Sequence, residues 1–286
     1  MMFDATDTCA PQSMARRCLQ VLSLMTFATV LCGSLVQPVI AAEPENPWPG
    51  LARDIFNGRA LADGAGLIAI EMPYRAEDAA IVPVTLRATL PPGDTRALKA
   101  ITLVIDQNPA PVAATFQVGA GVTMISTRVR IDSYTNVHVV AELSDGQLYT
   151  SEVYVKASGG CSAPTAKNAE EAQANLGQMR FRQFSKTTDG PASGPREAQI
   201  MVRHPNNSGL QRDQVTLLYV PAFFVRELRV WQGDELVLAM DGGISISEDP
   251  NLRFNYLPNG ATRFRVEAID TDGHVFKGEW PVEAAM

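Results

Sequence analysis

In Ala157-Ser158-Gly159-Gly160-Cys161-Ser162-Ala163-Pro164 a thiol stands with two glycines on one side and Ser-Ala on the other, so little side-chain bulk crowds the sulfur. The thiolate is the nucleophilic form of cysteine, and with an ordinary pKa near about 8.5 a minor fraction of it is present at neutral pH. Glycine reaches φ > 0 without steric cost, so the segment can extend, bend and enter a cleft of another molecule. From the residues alone two readings compete. Gly159, Gly160 and Ser162 form a flexible arm that presents Cys161 for covalent attachment, or they form a Gly-rich hinge between domains with an incidental cysteine. The carrier reading expects Cys161 to be exposed, and reduced when unloaded.

The first forty residues bear on those odds. Arg16-Arg17 precedes the apolar run from Cys18 to Val36, and Val39-Ile40-Ala41-Ala42 offers small residues for cleavage. That pattern predicts a secretory signal peptide over residues 1–42 and a periplasmic mature protein beginning near Ala42 or Glu43, with no membrane attachment afterwards. A retained membrane anchor is the runner-up, because about nineteen mostly apolar residues can span a bilayer. A lipid-anchored form fits less well, since Leu31 before Cys32 is larger than lipid-attachment sites usually take. The arginine pair leaves twin-arginine and general export both open. Cleavage removes Cys9, Cys18 and Cys32, so Cys161 becomes the sole cysteine, with no partner for an intramolecular disulfide in an oxidising compartment. The net charge of −7 is unchanged by cleavage, because two arginines leave with two aspartates. No basic patch argues for nucleic acid.

Constellations for other chemistry are scarce. His138, His204 and His274 lie far apart in sequence without HxH or HExxH spacing, so no metal is expected on them. No GxSxG, phosphate-binding loop or dinucleotide fingerprint occurs, so neither catalytic residues nor a cofactor is expected. Asp270-Thr271-Asp272-Gly273 faintly suggests a calcium loop, but it lacks the later glutamate and sits between two strand patterns, which makes it a hairpin turn.

The elements that would position the thiol are strands. Runs at 66–72, 81–89, 100–106, 113–118, 123–131, 137–143 and 148–156 show period-two or continuous apolar patterning, with turn residues between them. In 123–131, Ile125, Thr127, Val129 and Ile131 take the buried face, which puts Met124, Ser126, Arg128 and Arg130 on the other. Residues 44–50 are proline-rich and are expected to be a loose lead-in, with Trp48 packed on a domain surface. Ala169, Ala172, Leu176 and Met179 recur at helical spacing within 165–184, and Thr165 can cap a short helix there. Residues 185–195 are a polar linker. A second strand series occupies 197–203, 226–232, 235–240, 253–257, 262–269 and 274–282. The fold class is therefore all-β: two immunoglobulin-like antiparallel β-sandwiches in one chain, joined by the Gly-Gly-Cys segment and a short helix and linker.

Several motifs resemble a known family. Val155-Lys156-Ala157-Ser158-Gly159-Gly160-Cys161 resembles the end of SoxY, the sulfur-carrying subunit of the bacterial thiosulfate-oxidation system, whose carrier cysteine lies in a terminal Gly-Gly-Cys-Gly-Gly arm. Asp106-Gln107-Asn108-Pro109-Ala110-Pro111-Val112-Ala113, Ser126 to Ile131 and Val139 to Gly146 are similar to SoxY sequence, in SoxY order. Arg203 to Asp213, Pro221-Ala222-Phe223-Phe224-Val225 and Asp249 to Phe254 resemble SoxZ, its partner. The resemblance implies a SoxY-like sandwich at 43–160, a carrier-cysteine segment, helix and linker at 161–195, and a SoxZ-like sandwich at 196–286, packed against each other within the chain. Ser162-Ala163 replaces the final glycines, and the cysteine is internal. That arrangement looks like the fused SoxYZ-like carriers associated with quinoprotein dehydrogenases, including those that use PQQ.

Three classes of function follow. The first is a periplasmic carrier that holds a sulfur-containing intermediate on Cys161 and presents it to Sox-type enzymes or a quinoprotein dehydrogenase. The second is a non-carrier interaction module for such a dehydrogenase. The third, an enzyme, lacks any base or metal cluster near Cys161 in sequence.

Overall fold

The computed structural model describes residues 46–164, 169–184 and 194–283. The predicted leader and most of the predicted linker lie outside the described residues. Helix α1 (Trp48–Ile55) precedes eight strands: β1 (Leu61–Asp63), β2 (Ile68–Glu71), β3 (Val82–Ala88), β4 (Leu98–Ile105), β5 (Val112–Val118), β6 (Met124–Val129), β7 (Thr135–Leu143) and β8 (Leu148–Val155). After the cysteine come helix α2 (Ala169–Ala174) and β9 (Met179–Phe184). The series ends with β10 (Arg196–Val202), β11 (Val225–Gln232), β12 (Glu235–Gly242), β13 (Asn251–Tyr256), β14 (Arg263–Asp270) and β15 (Val275–Pro281).

Alternation of apolar and polar residues makes these segments half-buried strands, and stacking their apolar faces forms the core. The two halves of the chain share both layers. One sheet runs β1-β8-β7-β4-β5-β12-β11-β14-β15 and the other β2-β3-β6-β13-β10-β9. The seams are antiparallel: β5 pairs with β12, Val118 opposite Leu238 through Ala114 opposite Gly242, and β6 pairs with β13, Ile125 opposite Phe254. Strand edges that each half would otherwise leave open are thereby closed. A single buried cluster crosses the seams, with Leu86, Ile101, Phe116 and Ile125 from the first half and Leu238, Met240, Phe254 and Phe264 from the second.

Three local expectations change. Residues 48–55 are a helix rather than a loose lead-in, its start set by Pro47 and Pro49, whose fixed φ suits a first turn. Trp48 stacks on His138 at 3.6 Å, and Phe56 packs on Val140 and Leu148, so α1 covers the outer face of β7. The helical spacing after the cysteine ends early. Met179–Phe184 is a strand along β10, with Phe181 packed on Phe264 and Trp280, and its alternation with Arg180 and Arg182 is a period-two signal. Arg130, expected outward, is 1 % exposed because residues of the second half cover that face.

A shared core predicts joint unfolding. Phe116→Ala, at the seam opposite Met240, is expected to cost about 3–5 kcal/mol. In a Trp48→Phe background, where Trp231 and Trp280 report only on the second half, their fluorescence and far-ultraviolet circular dichroism should share one lowered midpoint. Separate midpoints would show two independent domains.

Candidate functional site

The chain leaves β8 at Val155 and folds back beneath the end of β6. Gly159 adopts φ +80°, which an L side chain rarely takes, and its N–H donates to the Asp132 carbonyl at 2.8 Å. Gly160 meets a different demand. Its N–H donates to the Ile131 carbonyl at 2.9 Å, and a Cβ there would lie 2.0 Å from the Ala79 oxygen, so only glycine lets the backbones approach. The two glycines therefore build a tight, docked turn where a free arm was expected.

Cys161 itself corrects the expectation of exposure: it is fully buried. The second half supplies the missing cover. Ser208 donates its hydroxyl to the Cys161 carbonyl, and the Ser162 hydroxyl closes the turn onto the Gly159 carbonyl at 3.2 Å. Ser162 remains exposed. Burial, and then the negative charge of Asp132, push the Cys161 thiol up to about 12, with Arg130 acting the other way. At that value about one thiol in 10⁵ is ionised at pH 7, against about 3 % for an unhindered cysteine.

The floor of the site is a polar network across both halves. Arg130 donates through Nη1 to the Gly160 carbonyl and through Nη2 to the Asn206 carbonyl, both at 3.3 Å. Its backbone N–H reaches the Ser245 carbonyl at 2.7 Å. Asn108 donates to the Arg130 carbonyl and to the Ser245 hydroxyl, each at 2.8 Å, and accepts from the Asp132 N–H at 2.9 Å. Asn206 sits at φ +45° and binds the Ile246 carbonyl and the Val225 N–H through its side chain. Apart from the Arg130 Nε–H, the side-chain groups of this network have defined partners, which fixes the site's shape. The motif residues Asn108, Arg130, Asn206 and Ser208 stood in the sequence without a role. Their signal was polar character inside strand and turn patterns, which becomes legible only when the second half closes over the first.

The histidines divide. His138 lies with Asp106 at 3.2 Å and Glu152 at 3.3 Å, under Trp48. His204 and His274 converge on Asp270, at 3.6 Å and 2.8 Å. Burial lowers the pKa of His204 and favours its neutral form, and because Nδ1 accepts the Asn206 N–H, the proton sits on Nε2. Among the described residues no group of three or more His, Cys, Asp or Glu is arranged to hold a metal ion. Asp270 to Gly273 forms the β14–β15 turn, with Asp270 Oδ1 taking the N–H groups of Asp272 and His274.

Next to Ser162 and Pro164, a short hairpin at 211–220 is closed by an Arg212–Tyr219 bridge and by Asp213, which accepts the N–H groups of Val215 and Thr216. Leu217 takes φ +61°, and the tip presents Val215, Leu217, Leu218 and Tyr219 to solvent, Val215 at 91 % exposure. Ser162 and Pro164 share with Leu210, Arg212, Leu217 and Tyr219 a cavity of about 470 Å³.

Residues 52–161 match the family model of sulfur oxidation protein SoxY, and residues 186–281 match that of sulphur oxidation protein SoxZ. The chain is a SoxY–SoxZ fusion. Among solved structures it is similar to the sulfur carrier protein SoxY from Chlorobium limicola f thiosulfatophilum, at 27% identity over 38% of this chain and 89% of that one, with a TM-score of 0.33. It is also similar to a superoxide reductase (neelaredoxin) from Ignicoccus hospitalis, at 12% identity over 32% of this chain and 79% of that one, TM-score 0.28. A putative superoxide reductase from Thermotoga maritima matches at 12% identity over 34% and 92%, TM-score 0.29. No curated protein matches. Cys161 closes the SoxY match, and its turn is held by residues of both the SoxY and SoxZ matches.

Two measurements check the docked thiol. Ser208→Ala removes one hydrogen bond from the turn, worth about 1 kcal/mol, so labelling of Cys161 by iodoacetamide in native buffer should accelerate roughly fivefold, while labelling in urea is unchanged. The pH dependence has a fixed sign. The unfolded chain ionises Cys161 near 9.0 and the folded chain near about 12, so the unfolded form binds fewer protons between those values and stability falls as pH rises through them. The wild type should therefore lose about 1.4 kcal/mol per pH unit above pH 9 relative to Cys161→Ser in paired denaturant titrations.

Proposed function

We propose that this fusion is a carrier that holds a sulfur-containing intermediate covalently on Cys161 and presents it to partner redox enzymes, of Sox type or linked to a quinoprotein dehydrogenase. The observation that carries the reading is the placement of Cys161, the only cysteine among the described residues, in a glycine turn held by both halves of a SoxY–SoxZ fusion. The SoxY from Chlorobium limicola is a sulfur carrier protein, and sulfur carriage is the role proposed for this chain. The protein is exported, with the leader cleaved near Ala42, and works in the periplasm; the basic and apolar patterning of residues 16–36 supports that location.

Carriage needs no catalytic group on the carrier itself. The thiol must be shielded while idle and reachable when a partner arrives, and the docked turn supplies the shielding. Leu217 and Tyr219 of the exposed apolar tip border the same cavity as Ser162 and Pro164, so a partner that engages Cys161 covers the tip and removes that surface from water.

Intact-mass analysis of protein taken from its native source tests the reading. The expected result is a sulfur-derived mass increment on the wild type and none on Cys161→Ser. Free thiol alone, with an unimpaired Ser variant, would favour the non-carrier interaction module.

A further inference from the structure

Arg130 is the largest fully buried side chain of the described residues, and it lies against the cysteine turn. It makes no ion pair among those residues. Its Nη atoms spend their bonds on two neutral carbonyls, of Gly160 and Asn206, and its Nε–H has no partner at all. Glu248, an ionised Cys161 and Asp78 all favour its charge, but burial outweighs them and lowers its pKa. A buried guanidinium whose charge is only partly offset is costly, and an orphaned N–H adds to that cost. Packing does not require this cost, since a methionine of similar length would fill the space without it. The group that would offset it is an anion, and Cys161, which directly follows the Gly160 carbonyl that Nη1 holds, is a position where an anion can be attached and released. Ser162 and Pro164, which follow the thiol, border the cavity of about 470 Å³, so a loaded side chain has room beside the turn.

We propose that Arg130 is the counter-charge for an anionic group borne on Cys161, so that the turn docks more tightly when the cysteine carries a negatively charged adduct than when it carries a neutral one of the same size. This rests on the carrier reading and narrows its cargo to adducts ending in an anion. Arg130 is then a positioning residue: it shields the charged load inside the carrier and sets the cost a partner must overcome to draw it out.

Two chemically installed groups test this on the full chain, independently of any natural cargo. Iodoacetate leaves a carboxymethyl group on Cys161 and iodoacetamide a carbamidomethyl group, equal in heavy atoms and different in charge. Each product is returned from urea to native buffer, and amide hydrogen exchange is followed over peptides containing residues 157–163. Exchange in the carboxymethyl form should be at least roughly tenfold slower, as one charge-assisted hydrogen bond of about 1.5–3 kcal/mol requires. Arg130→Gln should abolish the difference. Equal or faster exchange in the carboxymethyl form of the wild type overturns the proposal, as does a difference that survives in Arg130→Gln; the wild-type pair decides even if that variant does not fold. Such a failure leaves the carrier reading standing. Absence of any adduct on native protein removes the carrier reading and leaves the charge preference of the turn measurable.

Discussion

The pairing of β5 with β12 and of β6 with β13 is the constraint on which the remaining structure depends. An open strand edge exposes N–H and C=O groups that demand partners, and each half of this chain has an edge that the other half satisfies. Once both seams form, residues 245–249 run beside the end of β6, where the Arg130 N–H meets the Ser245 carbonyl and the Ser247 N–H meets the Arg128 carbonyl. The Gly-Gly-Cys turn docks at that junction, on the Ile131 and Asp132 carbonyls and the Arg130 guanidinium. The position of the thiol is thus a consequence of sheet closure, and it exists only when both halves are present.

Magnitudes decide how such a thiol can react. Four hydrogen bonds hold the turn, from the N–H groups of Gly159 and Gly160 and to the carbonyls of Gly160 and Cys161. At about 0.5–1.5 kcal/mol each they contribute roughly 2–6 kcal/mol, against about 1–2 kcal/mol of backbone entropy for each residue fixed. For the three residues 159–161 that cost is about 3–6 kcal/mol, so hydrogen bonding alone does not hold the turn shut. An open population of about 1 % carries thiolate at roughly 3 parts in 10⁴, which exceeds the roughly 1 part in 10⁵ of the docked state by more than tenfold. Chemistry at Cys161 therefore runs through the opened turn even when that turn is rare. Burial controls the thiol by access and not by abolishing its reactivity.

Periodicity in the sequence was enough for the strands, because a half-buried surface imposes an alternation that Ile125, Val129 and Ile131 display on their own. It says nothing about whether the second face is later covered. That is why Arg130 reads as a surface residue and is buried, and why Cys161 reads as exposed and is not. Gly159 and Gly160 illustrate the same limit: the residue type reveals that backbone freedom or close approach is needed, and only the position of the Ala79 carbonyl shows that at Gly160 it is close approach. The strand β9 was missed because Leu176 and Met179 fit a helical spacing that Gly177, at φ +76°, interrupts. His204 and His274 are seventy residues apart and meet on Asp270 only through the β14–β15 hairpin.

The internal position of the cysteine sets a physical limit on its partners. Ala157 is buried, four residues before Cys161, and if it stays in place the thiol can travel at most about 14 Å from it, the extended length of four residues. A terminal arm can thread a channel end first, whereas an internal one must enter as a doubled strand, which needs a wider opening. A partner that acts on Cys161 would therefore need an active site that is shallow and broad at its mouth. Leu217 and Tyr219 of the apolar hairpin tip border the same cavity as Ser162 and Pro164, which follow the thiol, so the rim of such a mouth would press there. Contact there would remove Leu217, Leu218 and Tyr219 from water, at roughly 25 cal/mol for each Å² of apolar surface covered, and that gain offsets part of the cost of lifting the turn out of its site.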